Sequence, residues 1–395
     1  MPFMSSIRLD GLLSFAPGSE AIPLTPLNVM IGPNGSGKSN LIEAIELLHA
    51  APTALASAIR EGGSTREWLW KGDGTSSEAT IEAELKASAP MRDLRYRLSF
   101  GTESGRFVVT DEVIEDATKR KSNTHAYYRY QAGCPVLNVS EPESSGPRAR
   151  GVQRLLTGRG LVPDESILSR RKDPDLYPEL TWVGQQFARI QTFRAWSFGR
   201  FGSLRQGQST HLPNDHLLPD SSNLALLLNQ LEHTGASAEL NAALTRFLPR
   251  YLKFSTLIQG GSVQFFLHEE GLHGAIPATR LSDGTIRFIA MLVLLLTPNP
   301  PPLICIEEPE LGLHPDAMTI LSELMVEASK RTQLIVTTHS DALVSALSEE
   351  ADSVLVCEYR GGTFIKRLDS AKLRHWMGEY RLGDLWRIGE LGGNP

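Results

Sequence analysis

The sequence predicts an α/β fold in which a strand of the sheet leads into a glycine-rich loop and a helix. An apolar run at 27–31 precedes a glycine-rich loop at 32–39, and an apolar run with helical spacing follows at 41–48. Two further strand-like runs, 303–306 and 334–338, are followed by acidic residues and by a histidine. Because α/β sheets place ligands at the carboxyl ends of their strands, these observations predict functional residues there.

The loop at 32–39 fits the pattern G-x-x-x-x-G-K-[ST] and has the required strand before it and helix after it. Glycines let successive backbone N–H groups converge on a phosphate, and the helix N-terminus adds partial positive charge. The lysine of this motif bridges phosphates, and the hydroxyl after it holds Mg²⁺. The predicted phosphate-binding residues are Gly32, Pro33, Asn34, Gly35, Ser36, Gly37, Lys38, Ser39 and Asn40, with Ser39 also a predicted metal ligand.

A second turn of this kind lies far downstream, before an apolar helix-like stretch at 286–295. A Ser/Gly turn at a helix N-terminus offers backbone N–H groups and a hydroxyl to an anion. The turn therefore predicts a second phosphate site without a lysine, formed by Leu281, Ser282, Asp283, Gly284 and Thr285.

The buried strand-like run at 303–306 leads into two carboxylates, Glu307 and Glu308. Two buried carboxylates are costly without a cation, so we predict that Glu307 is a metal ligand and Glu308 a general base. A turn with Gly312 and His314 follows, in which His314 has a functional role or is only a turn residue. The run at 334–338 ends in His339, a second predicted catalytic residue.

In this order and spacing, the motifs resemble those of an ABC-type ATPase of the SMC, RecF and OLD-like group. Walker A corresponds to 32–39, the signature to 281–285, Walker B to 303–308, the D-loop to 312–315 and the switch histidine to His339. The resemblance implies an ABC-type P-loop head with a mixed central sheet plus an antiparallel β lobe, and ATP and Mg²⁺ as cofactors. It covers the two ends of the chain and leaves the middle unassigned.

The resemblance also implies a mechanism in an ATP-sandwiched homodimer with two composite sites. Lys38 holds phosphates, Ser39 and Glu307 organise Mg²⁺, and Glu308 deprotonates the attacking water, while His339 contacts the γ-phosphate. Ser282 and Gly284 come from the partner chain. The chain departs from many relatives in having Glu307 where they have Asp, and the Q-loop glutamine stays open among Gln131, Gln185 and Gln208.

Composition favours a soluble, cytoplasmic protein of 395 residues with 41% hydrophobic and 21% charged residues. It has no apolar run long enough for a bilayer and no secretion signal, and its three cysteines form no disulfide framework. The net charge of −6 argues against a uniformly DNA-coating protein, but residues 148–205 hold eleven Lys/Arg against five Asp/Glu. This basic segment, with aromatic residues interleaved at 193–201, contacts nucleic-acid phosphates or is a solvated face with core aromatics.

We predict a split head with inserted material. Residues 1–140 form its N-terminal part, with strand-like runs at 7–9, 27–31, 79–85, 94–100 and 107–113. Residues 141–255 form a linker and an inserted, largely helical and basic region, with a mobile linker over 140–160. Its two short helices are predicted to be capped by Ser221 or Ser222 and by Ser237. Residues 256–395 form the C-terminal part, and no long heptad repeat separates the halves.

The leading functional hypothesis is a DNA-transaction or anti-phage defence ATPase, whose relatives act with a Toprim-type nuclease. Only 55 residues follow Ser340, fewer than a typical nuclease domain, so we expect the effector on a separate chain. An aromatic tail with Trp376, Tyr380 and Trp386 offers a surface for it or covers the protein's own sheet. The alternatives are a regulatory ATP switch that senses a protein or RNA, and a transporter ATPase, which the long interval between Ser39 and Leu281 disfavours.

Overall fold

The computed structural model describes residues 2–72, 76–118, 126–131, 134–139, 152–155, 163–194, 196, 199 and 202–393. The strands are β1 (Met4–Asp10), β2 (Ile22–Pro23), β3 (Leu27–Ile31), β4 (Glu78–Leu85), β5 (Leu94–Glu103), β6 (Arg106–Asp116), β7 (Ala126–Gln131), β8 (Cys134–Val139), β9 (Val152–Leu155), β10 (Gln191–Phe193), β11 (Gln208–Ser209), β12 (Tyr251–Gln259), β13 (Ser262–Glu269), β14 (Ile276–Pro277), β15 (Leu303–Glu307), β16 (Gln333–Thr337), β17 (Val354–Tyr359) and β18 (Thr363–Arg367). The α-helices are α1 (Lys38–Ala50), α2 (Leu55–Glu61), α3 (Thr65–Trp68), α4 (Ile167–Arg170), α5 (Pro178–Ala188), α6 (Leu224–Glu232), α7 (Ala236–Phe247), α8 (Asp283–Leu296), α9 (Ala317–Ser329), α10 (Asp341–Ala346), α11 (Ser370–Met377) and α12 (Leu382–Arg387). No helix of the described ranges combines the length and apolar character that crossing a bilayer requires.

The chain divides into two compact units, each assembled from several stretches of sequence. The first unit contains Met1–Pro26, Gly32–Ile190 and Leu355–Arg367. The second contains Leu27–Ile31, Gln191–Val354 and Leu368–Pro395. In mid-chain the boundary between the units lies at residue 190. The limits at 140 and 255 for the parts of a split head stay a prediction.

The first unit is built on an antiparallel sheet with the strand order β2-β1-β4-β5-β6-β7-β8-β9. Strand β4 alternates between buried and more exposed positions, with Ala79, Ile81, Ala83 and Leu85 buried, because one face of the sheet is packed. The sheet confirms the predicted antiparallel lobe. However, β9 lies in the range predicted as a mobile linker, and the rest of that range is outside the described residues.

The second unit contains a parallel arrangement of strands in the order β10-β15-β16-β3. All five residues of β3 and of β16 are buried, as are the first four of β15, which explains their continuous apolar sequences. Inside it, Asn28 Nδ2 donates a hydrogen bond of 3.0 Å to the Leu334 carbonyl. A smaller antiparallel sheet is formed by β11, β13 and β12, with β14 also paired to β13.

Both helices predicted near residues 221 and 237 are present as α6 and α7, but their predicted caps are wrong. Asn223 and Gly235 occupy the N-cap positions, and neither caps the helix through its side chain. Ser222 donates its hydroxyl to Asp220 at 2.8 Å, and Ser221 has a φ of +55°. A local turn contact with Asp220 therefore engages the Ser222 hydroxyl in place of capping.

The aromatic tail is divided between the core and the surface. Leu382, Leu385 and Trp386 are fully buried, whereas Trp376 and Tyr380 are 41% and 42% exposed. Helix α12 packs on α10, and the Leu382 amide donates a hydrogen bond of 3.0 Å to the Ser348 hydroxyl. The second half of the tail is thus part of the core of the second unit.

A buried carboxyl group lies in the first unit, away from the predicted site residues in sequence. Glu112 on β6 is 1% exposed and accepts hydrogen bonds from Tyr96 Oη (2.8 Å), the Ser166 hydroxyl and the Ile167 amide (2.8 Å). Burial raises the pKa of Glu112 to about 7, although these three donors act in the opposite direction.

This raised pKa makes the stability of the protein depend on pH. The folded state binds the Glu112 proton more tightly than the unfolded state, so its stabilising contribution is present below pH 4.5 and is lost as the pH rises to about 7. The loss is about 3 kcal/mol. We expect urea unfolding of Glu112→Gln to lack this part of the pH dependence. Equal pH profiles for the variant and the wild type would contradict the assignment.

Candidate functional site

The phosphate loop at 32–39 closes around its own lysine. Lys38, the first residue of α1, donates hydrogen bonds from Nζ to the carbonyls of Gly32 (2.7 Å) and Pro33 (3.0 Å). Asn34, Gly35 and Ser39 are exposed, whereas Ser36 and Lys38 are buried. The Ser39 hydroxyl is therefore accessible for the predicted metal role.

Two residues that the sequence analysis does not identify support this loop. The hydroxyls of Ser14 and Thr363 lie 2.6 Å apart, and Thr363 also donates a hydrogen bond of 3.0 Å to the Ser36 carbonyl. Asn40 Nδ2 donates to the Ser14 hydroxyl at 2.7 Å, so this predicted phosphate-binding residue serves a structural contact. Gly37 has a φ of +97°, and a Cβ there would lie 2.0 Å from Thr363 Oγ1. Glycine is thus required at this position.

In the second unit, the carboxyl ends of three parallel strands bring Arg194 and predicted site residues together. The register pairs Phe193 with Ile306 and Glu307 with Thr337. Arg194 follows β10, Glu307 ends β15, and His339 lies two residues beyond β16. They meet at one edge of the sheet, as the parallel arrangement predicts.

Glu307 is held by an arginine at this edge. Arg194 Nε lies 3.1 Å from Glu307 Oε2, and the Glu307 side chain is only 15% exposed. The other carboxylate oxygen, Oε1, is buried and has no hydrogen-bond partner. An unpaired buried carboxylate oxygen fits a cation ligand.

The described residues include no group of three His, Cys, Asp or Glu side chains suited to holding a metal on their own. A single carboxylate such as that of Glu307 fits Mg²⁺, which is usually held by one or two carboxylates together with substrate phosphates and water. Glu307 is the protein group of the second unit that would hold it.

Glu308 adopts an unusual backbone conformation. Its φ is +46°, in the left-handed region that costs a non-glycine residue energy, and its amide donates a hydrogen bond of 2.9 Å to the Thr337 carbonyl. The Glu308 side chain is 38% exposed, and its Oε1 lies 3.8 Å from His339 Nε2. The two predicted catalytic residues are therefore neighbours, and the strained backbone turns the chain away from β15.

Glu310 is a further residue of this site that the sequence analysis does not identify. Its Oε1 accepts a hydrogen bond of 2.7 Å from the His339 amide, and its Oε2 is buried without a hydrogen-bond partner. Glu310 thereby fixes the backbone of His339, the predicted switch histidine. The sequence signal was its place three residues after Glu307 in a short acidic segment.

The predicted signature turn is closely packed against the predicted D-loop. Ser282 is the N-cap of α8 and accepts a hydrogen bond of 3.1 Å from the Thr285 amide. A Cβ on Gly284 would lie 2.6 Å from the Gly312 carbonyl oxygen, so this close approach requires glycine. The structure thus brings the predicted signature and D-loop together within one unit.

Two buried arginines hold the signature turn. Arg205, 7% exposed, donates hydrogen bonds to the carbonyl of Leu281 and to the carboxylate of Asp283, and one of 3.2 Å to the Ala278 carbonyl. Arg287 on α8, 8% exposed, donates to the Leu311 carbonyl at 2.5 Å. Burial lowers the pKa of Arg287, although nearby acidic groups oppose this effect.

All of the predicted motifs lie within residues 27–345. This span matches the family model described as AAA domain, putative AbiEii toxin, Type IV TA system. The chain belongs to this AAA-domain family. The AAA-domain protein is an ATPase of the SMC, RecF and OLD-like ABC type, as its motifs predict.

Curated relatives of this AAA-domain ATPase match parts of the chain. The Old nuclease of Escherichia phage P2 is 25% identical over 200 residues, which cover 44% of this chain and 34% of the nuclease. The chromosome partition protein Smc of Xanthomonas oryzae pv. oryzae is 28% identical over 163 residues, which cover 40% of this chain and 12% of Smc. The DNA replication and repair protein RecF of Magnetococcus marinus is 36% identical over 100 residues, which cover 25% of this chain and 20% of RecF. The matches thus span about a third or less of each relative.

Solved structures confirm the predicted fold class of the AAA-domain ATPase. An Smc head bound to the C-terminal winged-helix domain of ScpA has a TM-score of 0.58 at 13% identity, covering 94% of this chain and 99% of that one. An Smc head domain with an extended coiled coil from Pyrococcus furiosus, bound to the C-terminal domain of ScpA, also has a TM-score of 0.58. It is 14% identical, and the match covers 96% of this chain and 99% of that one. The chain therefore has the ABC-type head fold.

The remaining candidates of the sequence analysis take different places in the AAA-domain ATPase. His314 has a side chain 73% exposed and lies 3.2 Å from Asp316 Oδ2, so its D-loop role stays a prediction. Gln208 is buried and accepts a hydrogen bond of 2.6 Å from the Ala225 amide, while Gln185 is exposed on α5. The side chain of Gln131 is outside the described part of the chain.

The basic segment contributes internal contacts. Phe193 is buried and stacks on Trp196 with ring centroids 5.2 Å apart, and Arg194 and Arg205 bind residues of the predicted motifs. Phe198, Arg200 and Phe201 lie outside the described residues. These contacts favour the interpretation of Phe193 as a core aromatic over its interpretation as a nucleic-acid contact.

Proposed function

We propose that this ATPase acts as an ATP-sandwiched homodimer that drives or gates a DNA-related or anti-phage defence complex with a separate, nuclease-type effector chain. The observation that carries the dimer is the signature turn. Ser282 and Asp283 are exposed, whereas Arg205 and Arg287, which hold the turn, are buried. An exposed helix N-terminus that is fixed from behind is suited to bind an anion presented by a partner chain.

The contacts of Arg287 support a link between two events in one chain. Its signature turn binds the nucleotide held by the partner chain, and its own Glu308 acts on the nucleotide that it holds itself. Arg287 Nη1 donates to the Leu311 carbonyl at 2.5 Å and lies 3.5 Å from the Glu308 carbonyl oxygen. Arg287 belongs to the helix that begins with the signature, and Glu308 is the proposed base. A displacement of α8 on phosphate binding would therefore reach the backbone of Glu308.

The roles of the individual residues follow from their chemistry. Lys38 and the loop amides bind the ATP phosphates, and Ser39 and Glu307 hold Mg²⁺, which when bound supplies charge neutralisation at the phosphates. Glu308 accepts the proton of the attacking water, and the Ser282 hydroxyl with the Gly284 amide stabilises charge on the γ-phosphate in trans. His339, whose amide is fixed by Glu310, senses the γ-phosphate.

The relatives support the proposed biological setting by their names. They are a phage nuclease, a chromosome partition protein and a DNA replication and repair protein, and the family description refers to a toxin–antitoxin system. A nuclease effector on a second chain extends this comparison. A regulatory switch that senses a protein or RNA is the competing function.

Complementation between two inactive variants tests the dimer. In a mixture of Lys38→Ala and Ser282→Arg chains, one composite site of each mixed dimer combines an intact phosphate loop with an intact signature. We expect each variant alone to be inactive and the mixture to recover about a quarter of the wild-type ATPase activity, since half of the dimers are mixed and one of their two sites is intact.

The matched control mixes Lys38→Ala with Glu308→Gln. Because both residues serve the same site from the same chain, no mixed dimer has an intact site, and no recovery is expected. A mixture of folded Lys38→Ala and Ser282→Arg that stays inactive would contradict the sandwich dimer. The same assay with duplex DNA tests the DNA-related setting, for which an unchanged rate favours the regulatory switch.

A further inference from the structure

The contact between Arg194 and Glu307 places a permanent positive charge, the Arg194 guanidinium, beside the predicted metal ligand. Arg194 Nε lies 3.1 Å from Glu307 Oε2, and the two side chains are only 30% and 15% exposed. A guanidinium stays protonated at every physiological pH, so this charge is not removed by titration. Partial burial strengthens its effect, because charges interact more strongly away from bulk water.

The position of Arg194 follows from the sheet and is not an accident of a flexible surface side chain. Phe193, the residue before it, is 1% exposed, stacks on Trp196 and is paired in register with Ile306 of β15. The backbone of Arg194 is thereby fixed beside the end of the Walker B strand. The guanidinium can reach Glu307 without leaving the edge of the sheet.

The two oxygens of Glu307 have different environments. Oε2 is engaged by Arg194, whereas Oε1 is buried and has no hydrogen-bond partner. A divalent cation at Oε1 would share one carboxylate with the guanidinium, and the two cations would repel each other. The negative charges of nucleotide phosphates would offset that repulsion.

We propose that Arg194 is a positioning residue that makes metal binding at Glu307 conditional on nucleotide. Without nucleotide, Arg194 neutralises Glu307 and keeps a divalent cation from binding there. With nucleotide, phosphate charge compensates the guanidinium, and metal and nucleotide bind together. The proposal rests on the proposed function in two respects, the assignment of Glu307 as a metal ligand and the binding of nucleotide phosphates with that metal.

Binding of Mn²⁺, measured by electron paramagnetic resonance on the full-length protein without ATP turnover, tests this proposal. In the absence of nucleotide, we expect Arg194→Met to bind Mn²⁺ about tenfold more tightly than the wild type, because the repelling charge is gone. The double variant Arg194→Met/Glu307→Gln should lose this gain. Arg194→Lys, which keeps the charge, should remain close to the wild type.

A matched control and a second measurement separate the possible failures. Arg246→Met removes an arginine from an exposed ion pair with Glu323 and should leave Mn²⁺ binding unchanged. Mn²⁺ binding with the non-hydrolysable analogue AMP-PNP should be strong in the wild type and weak in Glu307→Gln. If those two proteins bind Mn²⁺ equally with the analogue, the assignment of Glu307 itself fails.

If they differ as expected but folded Arg194→Met binds Mn²⁺ no more tightly than the wild type without nucleotide, the role of Arg194 is overturned while the metal site stands. Weaker Mn²⁺ binding by Arg194→Met would also overturn it. Thermal unfolding of each variant establishes that the comparison is made on folded protein.

Discussion

Replacement of Glu308 by glutamine is expected to lower ATP hydrolysis by about 10²- to 10⁴-fold, because it removes the proposed proton acceptor. The change is nearly isosteric, and a glutamine has the same backbone cost as a glutamate at the φ of +46° seen here. ATP binding should therefore be retained. Steady-state ATPase rates and the affinity for a fluorescent ATP analogue measure the two effects separately.

Glu323→Gln is the matched control for Glu308→Gln, since it makes the same chemical change in an exposed ion pair on α9. We expect its ATPase rate to equal that of the wild type. A Glu308→Gln protein that hydrolyses ATP at more than a tenth of the wild-type rate would rule out Glu308 as the essential base. His339, whose Nε2 lies 3.8 Å from Glu308, would then be the next residue to test.

Replacement of Arg205 by methionine is expected to destabilise the second unit by about 2–4 kcal/mol. The substitution removes the donor to the buried Leu281 carbonyl and to Asp283, and methionine cannot satisfy either group. Because these contacts hold the signature turn, ATPase activity should also fall. Urea unfolding and the ATPase rate are the measurements.

Arg250→Met provides the comparison for Arg205→Met. Arg250 forms an ion pair of 2.8 Å with Glu269 but has a side chain 67% exposed, so its loss should cost less than about 1 kcal/mol. If Arg205→Met unfolds at the same urea concentration as Arg250→Met, the buried contacts of Arg205 do not stabilise the turn.

Sequence patterns identify the parts of the site that are specified locally. The phosphate loop lies between β3 and α1 as predicted, and β15 and β16 end where their apolar runs give way to Glu307 and His339. These elements are predictable because buried parallel strands require continuous apolar sequence, and the motif residues follow directly.

The residues that sequence analysis misses act through contacts between distant parts of the chain. Ser14 and Thr363 are 349 residues apart, and Arg194 and Glu307 are 113 apart. The residues next to a serine, threonine or arginine in the sequence do not indicate a contact with a partner so far along the chain. Besides Glu310, Arg194 had a usable sign, since it directly follows the short strand β10, and parallel neighbours bring such positions together.

The pairing of β3 with β16 has a consequence for synthesis of the protein. Asn28 and Leu334, which are hydrogen-bonded in the finished sheet, are 306 residues apart. At a ribosomal rate of roughly 5–20 residues per second, β3 waits roughly 15–60 s before its neighbour exists. For that time an apolar strand is available to other chains. An early stop before residue 333 would leave β3 permanently without β16, and with it this exposed strand.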